Sequence, residues 1–152
     1  RYLAGSDVVE VTAHGAVLVD PAIGEAGDVD TAVVVLKMKN GALCTIDNSR
    51  QAVYGYDQRV EVFGSKGMAY ALNDKPTTVE VFTEDAPRTD KIPHFFLDRY
   101  TGAFVDQFEA FVAMVLDGAP NPVDEIDGLR AVEIAKAAQQ SLEEGRTVTL
   151  EV

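Results

Sequence analysis

The 152-residue sequence has no tryptophan, one cysteine and two histidines, and its 13 lysines and arginines are outnumbered by 25 aspartates and glutamates. Each shortage removes a class of function. Cys44 alone cannot form an internal disulfide or a cysteine-based metal site, which points to a reducing cytoplasm. A formal net charge of −12 repels both a phosphate backbone and an anionic membrane surface, so no nucleic acid and no membrane is expected as partner. No apolar run approaches the roughly 18–20 residues of a membrane span, and no basic-then-apolar leader opens the chain, so a soluble protein is expected. The sequence also lacks a Gly-x-Gly-x-x-Gly loop and an opening strand-turn-helix to carry one, the usual seat for a dinucleotide pyrophosphate.

What is present suffices for a core: 47% of the residues are hydrophobic, enough for one domain over residues 1–152. Arg1 to Gly5 reads as the last turn of a helix stopped by Gly5. From residue 7 to 19, Val9, Val11, Ala13, Gly15, Val17 and Val19 alternate with polar residues, the period of a half-buried strand. Residues 21–28 read as a loop, and 31–39 as a second strand with Ala32, Val34, Leu36 and Met38 on one face. Asn40-Gly41 predicts a tight two-residue hairpin turn into a third strand over 42–49. Further strands are expected over 59–63, 68–72 and 77–83, continuing an antiparallel meander.

The periodicity then changes. Between residues 96 and 117, Tyr100, Phe104, Phe108, Phe111 and Val115 fall on one arc of a helix, which reads as a sheet-packing face. A second helix is expected from the N-cap Asp124 to Gly145, with Gly128, Ala131, Ile134, Ala135, Ala138 and Leu142 inward, and residues 147–152 close the chain as a strand. The expected fold is α+β, a mostly antiparallel sheet with its helices on one face. The second strand is apolar on both sides, with Val33 and Val35 opposite Val34 and Leu36, so the free sheet face is expected in an oligomer interface. Lys37 and Lys39 on that face leave a solvated sheet as the alternative.

Two stretches, DVDTAVVVLKMKNGALCTIDNSRQAVYGYDQRVEVFGSKGMA (28–69) and DGLRAVEIAKAAQQSLEEGRTVTL (127–150), resemble the C-terminal domain of the Gfo/Idh/MocA oxidoreductases, the first most of all its inositol 2-dehydrogenases. SRQAVYGYDQR (49–59) is the most specific part. The resemblance implies a fold like the C-terminal domain of glyceraldehyde-3-phosphate dehydrogenase, with a Rossmann domain, which would bind NAD, preceding this one in the full-length enzyme. It implies oxidation of a ring hydroxyl of inositol to a ketone, a homo-oligomer, and catalytic residues upstream of Arg1, since neither the family's Glu-Lys-Pro nor its Asp-x-x-x-His motif occurs here. By itself this stretch is expected to be inactive. A dehydrogenase of another sugar or cyclitol, or a stand-alone dimerisation or ligand-binding module, are the alternatives.

An uncharged polyol is recognised by directed hydrogen bonds, which tyrosine hydroxyls, arginine forks and carboxylates provide. Arg50, Tyr54, Tyr56 and Asp57 are therefore the expected substrate contacts, with both phenols on one side if the segment is a strand. The tyrosines could instead pack on a sheet or in an oligomer seam, and Asp57 could pair with Arg59. His14, in the first strand, and His94, before the long helix, have no carboxylate at an orienting spacing and are not assigned to catalysis. Glu25, Asp28 and Asp30 are too loosely spaced for a calcium loop and read as a solvated acidic loop. No metal is expected.

Overall fold

Strand periodicity and hairpin chemistry in the first 50 residues produce three strands of an antiparallel sheet, and residues 148–149 add a fourth, in the order Leu43–Ser49, Thr31–Met38, Val8–Ala16, Val148–Thr149. The computed structural model describes residues 1–152. Its chain divides into two compact units, Arg1–Gln51 with Val123–Val152, and Ala52–Pro122.

In the first unit, β1 (Val8–Ala16), β2 (Thr31–Met38), β3 (Leu43–Ser49) and β8 (Val148–Thr149) make up that sheet. Val11 faces Leu36 and Val34 faces Ile46 across the ladders. A bulge between Val8 and Glu10 changes the parity of β1, so that Val8 enters the core together with Val11. Strict alternation had put Val9 there; one extra residue in the ladder turns the side chains over. The β2–β3 turn is a three-residue loop, with Met38 N–H bonded to Ala42 O at 2.8 Å and Gly41 N–H to Met38 O at 2.9 Å. Only Gly41 has positive φ, +90°, so the expected two-residue turn is replaced by one that needs a single left-handed residue. Residues 21–25, expected as loop, form the short helix α1 (Pro21–Glu25), capped by the Asp20 carboxylate and started by Pro21.

α4 (Glu125–Glu144) packs on β1 and β8. Its N-terminus carries the expected Asp124 cap, completed by Asp127 into a reciprocal pair, and it ends at Gly145. The helix is rotated from the expected register: Ala137 and Ser141 are buried, Ile134, Ala138 and Leu142 partly so, while Gly128, Ala131 and Ala135 face outward. A hydroxyl explains the difference. Ser141 Oγ accepts the Ala13 N–H at 2.9 Å and donates to Arg146 O at 2.7 Å, satisfying two backbone groups in a buried position. Around it Val8, Val11, Leu36, Met38, Ala137 and Val148 form the core. The opposite sheet face is uncovered in this unit, with Val33 46% and Val35 41% exposed.

The second unit holds the hairpins β4 (Val60–Gly64)–β5 (Gly67–Ala71) and β6 (Glu80–Phe82)–β7 (Pro87–Thr89), then α2 (Phe96–Arg99) and α3 (Thr101–Asp117). The expected continuous meander is instead divided among three separate sheets, two of them in this unit, and β7 was not anticipated. Side chains replace ladder bonds where the meander breaks: Gln58 N–H donates to Asn73 Oδ1 at 2.8 Å. The expected long helix is broken at Tyr100, which ends α2 and begins α3. Within its unit α3 packs chiefly on α2, and none of its residues is buried. Within that unit its aromatic arc is not a sheet-packing face.

Candidate functional site

Gly55 sets the local geometry of the YGYD stretch. Its φ is +136°, and a Cβ there would lie 2.4 Å from Ile92 Cγ1 and 3.0 Å from Pro93 O, so no other residue fits. Tyr56 N–H donates to Pro93 O at 2.8 Å, fastening the turn to the segment before α2. Because this segment is a turn and not a strand, the same-side argument for the two phenols does not apply. Tyr54 is 59% exposed, with its hydroxyl bonded to the Asp57 carboxylate. Tyr56 is half-buried, its ring edge-on to Tyr100 at a centroid distance of 5.8 Å.

Asp57 is the hub. Its Oδ1 accepts Arg59 Nε at 2.8 Å and Asn73 Nδ2 at 2.6 Å, and its Oδ2 accepts Arg59 Nη2 at 3.0 Å and the Tyr54 hydroxyl. The Tyr54 bond, then those from Asn73 and Arg59, lower its pKa to about 2. The carboxylate is thus a permanent acceptor with its oxygens already engaged, suited to aim Tyr54 rather than to meet a ligand directly.

A second cluster adjoins it within the unit. The Tyr100 hydroxyl bonds Gln58 Oε1, and Arg99 donates to Gln58 O at 3.4 Å while pairing with Asp74 at 2.8 Å. Burial first, and then the Tyr56 hydroxyl, raise the Tyr100 pKa, keeping the phenol neutral as a donor. Tyr100 was not among the expected contacts. Its place on the 3.6-residue aromatic period suggested core packing, and only the α2–α3 break turns it toward Tyr56.

Arg50 belongs to the first unit. Its N–H donates to Asp30 O at 2.8 Å, and its exposed side chain borders an open depression of about 420 Å³ with Ile23, Asp28 and Val29. Asp30 is not part of a solvated loop. It is 3% exposed, and its carboxylate accepts the N–H groups of Leu18, Val19 and Asp20 at 2.8–2.9 Å. Despite the opposing cost of burial, these bonds lower its pKa to about 2. His14 lies exposed on the open face of the sheet and His94 is exposed before α2. No group of three or more His, Cys, Asp or Glu could hold a metal ion, and no helix is long and apolar enough to cross a membrane. Every strand pairing is antiparallel, without a parallel βαβ unit, so the residues present do not fit a dinucleotide pyrophosphate.

Comparisons extend this picture. Residues 1–150 match the model of the C-terminal alpha/beta domain of the Gfo/Idh/MocA oxidoreductase family. The chain is 52% identical over 151 residues to the myo-inositol 2-dehydrogenase of Thermotoga maritima, covering 99% of this chain and 45% of that protein. A crystal structure of a myo-inositol dehydrogenase from Corynebacterium glutamicum superposes with a TM-score of 0.90 at 42% identity, over 96% of this chain and 44% of that one. The scyllo-inositol dehydrogenase of Lactobacillus casei, solved with NAD(H) and scyllo-inositol, gives 0.86 at 25% identity, over 95% and 43%. The chain spans less than half the length of these proteins.

Proposed function

This chain belongs to the Gfo/Idh/MocA oxidoreductase family as its C-terminal alpha/beta domain, and on that premise we propose that it is the substrate-side and oligomerisation domain of an NAD-dependent inositol 2-dehydrogenase. The observation that carries the reading is the near-complete match, 52% identical over 151 residues, to a myo-inositol 2-dehydrogenase. In the full-length protein a Rossmann domain preceding Arg1 holds NAD and supplies the acid/base residues. NAD, when bound there, takes up the hydride released as a ring hydroxyl becomes a ketone.

The residues of this chain bind and orient. Tyr54 accepts a hydrogen bond from a ring hydroxyl, and Asp57, held by Arg59 and Asn73, fixes the phenol's direction. Tyr56 and Tyr100 form an aromatic wall. Preformed hydrogen-bonding groups of this kind suit a ligand that has hydroxyls and no charge. The open face of the sheet, with Val33 and Val35 half exposed, provides the contact between copies. A dehydrogenase of another cyclitol or sugar is the runner-up, and a substrate screen on the full-length enzyme separates the two.

The direct test is Tyr54→Phe in the full-length enzyme. Loss of one directed hydrogen bond, about 1.4 kcal/mol, raises KM for inositol roughly tenfold. Unchanged kinetics would remove Tyr54 from the site.

A further inference from the structure

Gln58 is exposed, yet its polar atoms are held by three separate residues. Its backbone N–H donates to Asn73 Oδ1 at 2.8 Å, its backbone O accepts Arg99 Nη2 at 3.4 Å, and its side-chain Oε1 accepts the Tyr100 hydroxyl. These anchors are themselves fixed. Asn73 donates its amide nitrogen to Asp57 at 2.6 Å, and Arg99, with 12% of its side chain exposed, pairs with Asp74 at 2.8 Å. The Tyr100 ring packs edge-on against Tyr56 at 5.8 Å and Phe104 at 6.4 Å. Burial raises the Tyr100 pKa, so the phenol stays protonated and donates, which turns the carboxamide oxygen toward it and the nitrogen away.

One polar atom of Gln58 is left uncommitted. Its Nε2 bonds to no group of the protein, so the carboxamide presents two N–H donors whose direction is set by the bond at its oxygen. A surface glutamine ordinarily keeps its rotamer freedom, because water satisfies it in any orientation and holding it still has an entropic cost. Here that ordering is complete in the folded chain, the condition under which a group binds a ligand without rearranging. The donor also supplies what its neighbour lacks: Asp57, one residue earlier, only accepts, and both its oxygens are engaged, whereas a ring hydroxyl oxygen needs a donor. We propose that the Gln58 carboxamide is a specificity-determining contact for the substrate, donating from Nε2 to the oxygen of one ring hydroxyl. This rests on the reading of the chain as the substrate side of an inositol dehydrogenase. Tyr100 then has a positioning role as well as its place in the wall, and Asn73 and Arg99 position the backbone on either side of the contact.

The test compares Gln58→Glu and Gln58→Met in the full-length enzyme, with inositol and its monodeoxy analogues, each lacking one ring hydroxyl, as substrates. Glutamate keeps the length and an oxygen for the Tyr100 hydroxyl while replacing the donor nitrogen by an acceptor; methionine keeps the length with neither donor nor charge. The expected result is a KM for inositol raised about tenfold in both variants with kcat little changed. For one analogue, variants and wild type have equal KM, because the hydroxyl that Gln58 contacts is already missing. A rise that is uniform across inositol and every analogue marks a merely structural residue and overturns the proposal. Wild-type kinetics in the methionine variant overturn it too, as does loss of the fold in both variants by circular dichroism. A full-length wild type that does not oxidise inositol defeats the underlying reading instead, before any variant is compared.

Discussion

At the scale of single residues, the chemistry of the candidate site depends on one backbone position. Gly55 at φ +136° against Ile92 and Pro93 directs Tyr54 to Asp57 and Tyr56 to Tyr100. Gly55→Ala forces a Cβ into Ile92 and a side chain into a left-handed conformation, so it costs about 1–3 kcal/mol and displaces both tyrosines. The measurement is the denaturation midpoint together with KM for inositol, and a variant with both at wild-type values would contradict the geometry. The string YGYD was legible in the sequence as a patterned, polar segment. Its division into two clusters was not, because the strand assumption put both phenols on one side, and nothing local announced that Asn73 and Pro93 would capture Asp57 and the Tyr56 N–H.

At the scale of elements, α4 and the open sheet each carry a prediction. Ser141 is 1% exposed and serves two backbone groups, one on β1 and one just past the helix. Ser141→Ala strands the Ala13 N–H and costs about 1–3 kcal/mol in chemical denaturation; a change below 0.5 kcal/mol would mean that water takes over the bond. Val33 and Val35 share the uncovered face with the Lys37–Glu10 pair, at 2.6 Å. The double change Val33→Glu and Val35→Glu places charge in the proposed contact between copies, so sedimentation of the full-length protein is expected to show a smaller assembly. The caps of α4 could be read from Asp124 and Gly145, since capping is a local reaction of side chain with backbone. Its rotation could not, because a serine that satisfies a strand N–H outweighs the alanines of the neighbouring arc. Phe108 shows the same limit: an aromatic period announces an amphipathic helix without saying what will cover it.

For the whole molecule, acid is the discriminating condition. Asp30 and Asp57 both have folded-state pKa values of about 2, below the ordinary 3.8. A lowered pKa stabilises the fold above the unfolded value and loses that contribution as pH falls toward the folded one. Stability from these two groups is therefore complete above about pH 5 and declines between about pH 4 and pH 2. Asp30→Asn, followed by circular dichroism, flattens the stability curve across that window and lowers the thermal midpoint at pH 7; an unaltered acid limb would show that the carboxylate cage is not formed in solution. By itself the sequence determined the α+β class, the hairpin strands, the α4 caps and the family, because alternation, turn residues and capping act over a few neighbouring positions. Tertiary structure decided the β1 bulge, the rotation of α4, the burial of Asp30, the split of the meander into three sheets and the capture of Asp57. Each of these is settled by partners distant in the chain, whose hydrogen bonds and volumes exist only once the elements are packed.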